Sequence, residues 1–193
     1  MITFAGSLDA LEQWLEGRCR DGLVIVPTAS AFSNPSQSTA SALERFGGTV
    51  VSIMNRADAM QSENADIIRS ATLAICLDGS PLHARAVWRT SPVGEALRVT
   101  NVATVGGVGS VFGSVMIDPR GGAPTVGLGR FDDVAITTTS ATDDLPRTKQ
   151  LVGPDITLVV LGESGLVTFD GQWLANGAYY ASRGSSEVVF SSR

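Results

Sequence analysis

Short apolar runs alternate with amphipathic segments along the first half of the chain. Apolar residues recur at helical spacing after Ser7, around residues 41–47 and 63–70, and from Pro81 through Trp88. The runs between these segments are each short enough for a strand that is covered on both faces, at residues 2–5, 23–27, 49–54, 72–77 and 99–105. This alternation predicts an α/β fold with a mostly parallel central sheet and helices on both faces.

The pattern changes in the last third of the chain. It predicts strands at residues 133–138 and 156–161, with a helix over 143–151 between them. Residues 165–177 are typical of a C-terminal β-hairpin that turns at Asp170-Gly171, and residues 187–190 could add an edge strand. Residues 28–38 are rich in Ser, Pro and Asn and predict a loop. The 193 residues contain no repeat or linker, so a single domain over residues 1–193 is expected.

Charge and composition narrow the function classes. The formal net charge is -5, and no basic run or stripe appears, which argues against nucleic acid or an anionic membrane as a partner. No apolar stretch approaches the roughly 20 residues of a membrane span, and the amino end does not resemble a secretion signal. A cytoplasmic location is therefore expected. With two cysteines, one histidine and no ligand spacing, neither a metal nor a cofactor is expected.

The run 99–105 breaks abruptly into Gly106-Gly107-Val108-Gly109. A strand that stops at glycines and continues as a helix builds a sharp turn at the carboxyl edge of an α/β sheet. In hydrolases this turn carries a nucleophile in a G-x-S-x-G setting, and here the hydroxyl is missing. The amides of Gly106 and Gly107 could instead attract an anion, although the segment matches no phosphate-binding motif.

Six further sequence segments, spread over nearly the whole chain, serve as landmarks because of the order in which they occur. They are PTASAF (27–32), NRADA (55–59), DGSPLHARAVWRTSP (78–92), MIDPRGGAPTVGLG (116–129), LPRTKQL (145–151) and DITLVVLGESGLVTFDGQW (155–173). Together they resemble the peptidase E and cyanophycinase group of serine hydrolases, which have the class I glutamine amidotransferase-like fold. The resemblance implies cleavage of peptides with acidic residues, and it implies a homodimer.

The catalytic positions that the resemblance implies are replaced in this chain. Where the group has its nucleophilic serine in G-[TS]-S-A-G-A, this chain has Val105 or Gly106. The position at which the group has its histidine falls within the three consecutive threonines at residues 137–139, and we assign it to Thr139. The oxyanion-loop pair, commonly Gly-Gly, is Asp78-Gly79, and a carboxylate there would repel a developing oxyanion. We therefore expect no catalytic residues at this turn and a catalytically inactive homologue that acts in binding or assembly.

Two alternatives stay open from the sequence. An active hydrolase of acidic peptides or amides could use a relocated nucleophile, either Cys76 with His83 or Ser110. A sensor of a small acidic peptide or anion could use the glycine turn, with a carboxylate recognised by the basic residues of the loops that the resemblance directs toward the site. The expected ligand-binding residues are Asp78, Gly79, Gly106, Gly107, Arg56, Arg120 and Arg147.

Overall fold

A computed structural model describes residues 1–117, 123–141 and 144–192. Its largest sheet has seven strands in the order β11-β10-β1-β5-β4-β2-β3. Strands β1 to β5 run parallel, and β10 and β11 add an antiparallel hairpin beside β1. The strands are β1 (Ile2–Ala5), β2 (Leu23–Val26), β3 (Thr49–Val50), β4 (Leu73–Cys76), β5 (Val102–Val105), β10 (Leu166–Phe169) and β11 (Trp173–Asn176). The sequence expectation of a mostly parallel sheet with a C-terminal hairpin is confirmed.

Helices cover both faces of this sheet because successive strand residues point to opposite sides. In β2, Leu23 and Ile25 belong to one buried cluster, whereas Val24 and Val26 belong to the other. The first cluster includes buried residues of α1 and α2, and the second includes buried residues of α3 to α6. The helices are α1 (Leu8–Leu15), α2 (Pro35–Phe46), α3 (Arg56–Ala59), α4 (Ser62–Ser70), α5 (Pro81–Trp88), α6 (Pro92–Val99) and α7 (Leu145–Val152).

A second sheet of four strands, in the order β13-β12-β9-β8, was not predicted from the sequence. Strands β8 and β9 run parallel and are joined through α7, which packs on this sheet through Val152. A separate two-stranded ribbon, β6 with β7, precedes β8. The strands are β6 (Val115–Met116), β7 (Thr125–Val126), β8 (Val134–Thr138), β9 (Thr157–Leu161), β12 (Tyr179–Arg183) and β13 (Ser186–Glu187).

Several predicted boundaries differ from the structure. The predicted loop 28–38 is a 3₁₀ helix, Thr28–Phe32, followed by α2, which begins at Pro35 because the Asn34 side chain caps it at Gln37 N–H. Helix α6 was not predicted from the sequence: Ser91 caps its start and Pro92 fits its first turn. Val99, predicted to begin a strand, is the last residue of this helix. The strand predicted over residues 49–54 is shorter in the structure, where only β3 (Thr49–Val50) forms. Asp143, predicted to begin a helix, lies outside the described residues.

Among the described residues, no helix has both the length and the apolar character needed to cross a membrane.

Candidate functional site

The glycine turn lies near the middle of the large sheet, since β5 pairs with β1 on one side and β4 on the other. Val105 ends the strand, and a 3₁₀ helix follows directly at Gly106–Phe112. Gly106 is buried and has a φ of +63°, a left-handed conformation that residues with a side chain rarely adopt. The sharp turn expected from the sequence is therefore present, and its first residue has no side chain.

The carboxyl group of Asp78 fills the space beside Gly106. Asp78 follows β4, the neighbouring parallel strand, so its side chain reaches the same sheet edge. An ideal Cβ placed on Gly106 would lie 2.3 Å from Cγ of Asp78 and 2.4 and 2.5 Å from its two carboxyl oxygens. Real Cβ atoms do not approach other atoms so closely, so a side chain at residue 106 and the present position of Asp78 exclude each other.

Backbone amides hold the Asp78 carboxylate in this position. The Gly107 N–H donates to its Oδ1 at 2.9 Å. Partial burial raises the pKa of the Asp78 carboxyl above its ordinary value, while hydrogen bonds from the Gly79 and Gly107 N–H groups lower it in part. The residue after a nucleophile commonly donates its N–H to the oxyanion. At Gly106, one of the two residues that the resemblance offers for the nucleophile position, the following amide is that of Gly107, and a carboxylate of the chain itself engages it.

Gly79 is fixed by close packing against the 3₁₀ helix Thr28–Phe32. Its φ is +149°, and a Cβ placed on it would lie 2.1 Å from the Ala29 carbonyl oxygen. The next residue, Ser80, donates its N–H to the same Ala29 oxygen at 2.7 Å and caps α5 through a hydrogen bond from His83 N–H. A glycine is therefore required at residue 79 by the approach of two backbone segments.

A cavity of about 170 Å³ opens beside Asp78. Its walls come from the Asp78-Gly79 turn, from the glycine turn and from the end of β8. The threonine segment expected to replace a histidine therefore faces the glycine turn. Thr137 and Thr138 line the cavity, whereas Thr139 is exposed and does not. The full lining is Asp78, Gly79, Pro81, Gly107, Ser110, Ile117, Thr137, Thr138 and Ser140. Ser140 was missed from the sequence, where the hydroxyl-rich run TTTS after a strand was the available signal.

The three fallback residues do not form a nucleophile and base pair among the described contacts. Cys76 is fully buried, and burial raises the pKa of its thiol far above the ordinary value, which disfavours the reactive thiolate. The His83 ring hydrogen-bonds the Met54 carbonyl oxygen through Nε2 at 2.9 Å. Ser110 lines the cavity, but its hydroxyl donates to the Gly107 carbonyl at 2.9 Å. None of the described hydrogen bonds joins His83 to Cys76 or Ser110.

The three arginines expected near the site have different placements. Arg56 belongs to α3 and donates to carbonyl oxygens at the carboxyl end of α5, which is the end of that helix away from the cavity. Arg147 lies in α7 and is exposed, and it is not part of the cavity lining. Arg120 lies outside the described residues. Within the described part of the chain, no three His, Cys, Asp or Glu side chains gather as a metal site.

The sheet order, the helices on both faces and the glycine turn at the end of a central strand define an α/β protein with the fold of peptidase E-like proteins. A peptidase from an acI-B1 actinobacterium has this fold with a TM-score of 0.73 and 16% sequence identity, over 98% of this chain and 96% of that one. A peptidase E-like protein from Listeria monocytogenes EGD-e matches with a TM-score of 0.60 and 12% identity, over 95% and 98% of the two chains.

At these identities the likeness establishes the fold alone. No family model matches the sequence, and no curated protein matches it either.

Proposed function

We propose that this chain is a non-catalytic relative of the peptidase E and cyanophycinase type of serine hydrolase, and that it acts as a binding module. The fold of the two solved structures supports the relationship, because each match covers nearly the whole of both chains. The landmarks in the sequence point to the same group. The homodimer and the cytoplasmic location stay predictions.

One observation carries the proposal of inactivity. The Asp78 carboxyl group occupies the space in which a side chain at residue 106 would stand, and it accepts the hydrogen bond of the Gly107 amide. Acyl transfer needs an attacking group at this turn and a free donor for the negative oxygen that develops in the transition state. A carboxylate in that position supplies no nucleophile of the serine type, and its charge opposes the developing oxyanion.

The test is turnover by the purified 193-residue chain on Asp-X dipeptides and on aspartyl-arginine peptides, followed by chromatography of the products. A serine-reactive fluorophosphonate is added in parallel, and the intact mass is measured; an active serine peptidase in the same buffer shows that the probe is competent. We expect no product above the buffer rate and no mass increase. Turnover with stoichiometric labelling would overturn the proposal.

Alkylation tests a thiol nucleophile within the same set of experiments. Iodoacetamide at neutral pH should modify the exposed Cys19 and leave Cys76 unmodified until the chain is unfolded, because the buried thiol is kept protonated. The Cys19→Ser variant is the matched control and should take up almost no label when folded. Rapid labelling of Cys76 in that folded variant would favour an active enzyme with a relocated nucleophile.

A further inference from the structure

Five of the nine described residues that line the cavity beside the glycine turn carry a side-chain oxygen atom. Asp78 carries a carboxyl group, and the other four, Ser110, Thr137, Thr138 and Ser140, carry hydroxyl groups. The hydrogen-bond geometry of Ser110, Thr138 and Ser140 leaves hydroxyl lone pairs that can accept a further hydrogen bond. The Ser110 hydroxyl donates its hydrogen bond to the Gly107 carbonyl oxygen, so only its oxygen lone pairs remain to accept a hydrogen bond from a ligand. The hydroxyls of Thr138 and Ser140 share one hydrogen bond at 3.0 Å.

Among the described residues that line the cavity, Asp78 is the one with a charged side chain. Its Oδ1 accepts from the Gly107 N–H, and a carboxylate has about four lone-pair positions, so further acceptor sites remain for a donor in the cavity. Asp78 is partly open to solvent and lines the cavity, while the amides of Gly79 and Gly107 hold its carboxylate in place. An anion entering the cavity would approach this like charge at close range. The geometry therefore opposes the acidic ligand that the sequence suggested for this turn.

We propose that the cavity binds a primary ammonium group, with the Asp78 carboxylate as its counter-ion and the Ser110 hydroxyl as a second acceptor. This proposal rests on the proposed function, since it names the ligand class of a binding module. An ammonium group is compact and carries three N–H donors and no acceptor, which matches one carboxylate and neighbouring hydroxyl lone pairs. The group can belong to a free amine, to an amino acid or to the amino end of a peptide.

The test follows the backbone amide signals of Gly79 and Gly107 by NMR while small probes are titrated at low ionic strength and neutral pH. Ethylammonium represents a free amine, glycine an amino acid and glycinamide a peptide amino end, so the three distinguish the sources of the group. Tetramethylammonium, which has the charge without N–H donors, and acetate, which has the opposite charge, are the matched controls. We expect saturable shifts with the primary amines and none with the two controls.

Two variants test whether Asp78 is the residue that binds the amine. Asp78→Asn keeps the size of the side chain and an acceptor for the Gly107 amide, and it should weaken ethylammonium binding by about tenfold or more because the charge-assisted hydrogen bond is lost. Asp66→Asn removes an exposed carboxylate that pairs with Arg69 on α4, and it should leave the affinity unchanged. Affinity should fall as the pH is lowered toward the pKa of Asp78, because the ammonium needs the ionised carboxylate.

Several results would overturn the proposal: acetate binding more tightly than ethylammonium, equal shifts with tetramethylammonium, or undiminished affinity in Asp78→Asn. If no amine binds while the hydrolysis and labelling assays are negative, the ammonium proposal fails and inactivity stands. If the phosphonate labels the chain, the proposed function fails whatever the amines do.

Discussion

Asp78 and Gly106 are coupled residues, since the carboxyl group of one stands where a side chain of the other would begin. A smaller residue at position 78 would leave room for a side chain at the turn. The sequence alone indicated that a carboxylate beside the oxyanion position would be unfavourable for hydrolysis. It did not reveal that the carboxylate reaches across to the next strand end and takes the Gly107 hydrogen bond, because that contact depends on the pairing of β4 with β5.

Alanine at two adjacent glycines tests this coupling. Gly106→Ala should lower the free energy of unfolding by about 2–3 kcal/mol, because its Cβ combines a left-handed φ with a collision against Asp78. Gly107→Ala is the control and should cost less than about 1 kcal/mol, since its Cβ would meet its nearest neighbour, the Pro81 ring, only at 3.5 Å. Urea denaturation measures both.

The double variant Asp78→Gly with Gly106→Ala separates the collision from the backbone strain. Removing the carboxyl group should recover part of the loss caused by Gly106→Ala, which a double-mutant cycle reports as a coupling energy. Additive losses within about 0.5 kcal/mol would show that the two residues do not compete for the same space.

Helix α5 connects the cavity to the opposite end of the sheet. Its first turn, capped by Ser80 and begun by Pro81, lies against the cavity. Its last turn is held by Arg56, which donates to the carbonyl oxygens of Val87, Arg89 and Thr90. Thr90 has a φ of +57°, so the chain leaves the helix through a strained residue that this guanidinium group fixes in place. The interaction satisfies carbonyl groups that a helix end leaves without partners.

Arg56 is therefore predicted to stabilise the fold and not to bind a ligand in the cavity. Arg56→Met should lower the free energy of unfolding by about 1 kcal/mol, because several hydrogen bonds to the end of α5 are lost from a partly exposed position. Amine titration of the same variant should be unchanged. Arg69→Met is the control, because it removes an exposed pair within one helix and should cost about 0.5 kcal/mol or less. Equal losses in both variants would contradict the assignment.

The carboxyl-terminal segment joins the two larger sheets of the molecule. The Phe190 ring stacks on Trp173 of β11, with centroids 5.4 Å apart, and on Tyr179 of β12, with centroids 5.6 Å apart. Its N–H donates to the Tyr179 hydroxyl at 3.0 Å. The next residue, Ser191, accepts the N–H of Ala175 in β11. The segment expected from sequence to be an edge strand thus contacts both sheets, and only β13 forms a strand there.

Phe190→Ala tests this connection at the scale of the whole molecule. We expect a loss of about 2 kcal/mol in the free energy of unfolding, below that of a fully buried phenylalanine because Phe190 is half-buried. Hydrogen exchange should become faster in both β11 and β12. Val189→Ala, at a residue that is 80% exposed, is the control and should stay within about 0.5 kcal/mol. Faster exchange confined to one of the two strands would contradict the connecting role.

Local patterns in the sequence determined most of the first half of the fold. The apolar runs at β1, β2, β4 and β5, the cap Ser7 and the proline Pro81 act within a few residues, so the parallel sheet and the helices α1, α4 and α5 could be predicted. The short helix α3 and the helix α6 were missed. The glycine turn at Gly106 also follows from its own residues.

The tertiary structure decided the remainder. The separate four-stranded sheet depends on strands that are far apart in the chain, and no local pattern specifies which strands pair. The character of the site depends on the same kind of contact. The sequence shows that the turn begins with two glycines, but the meeting of two strand ends places the Asp78 carboxylate on the Gly107 amide and in the lining of the cavity.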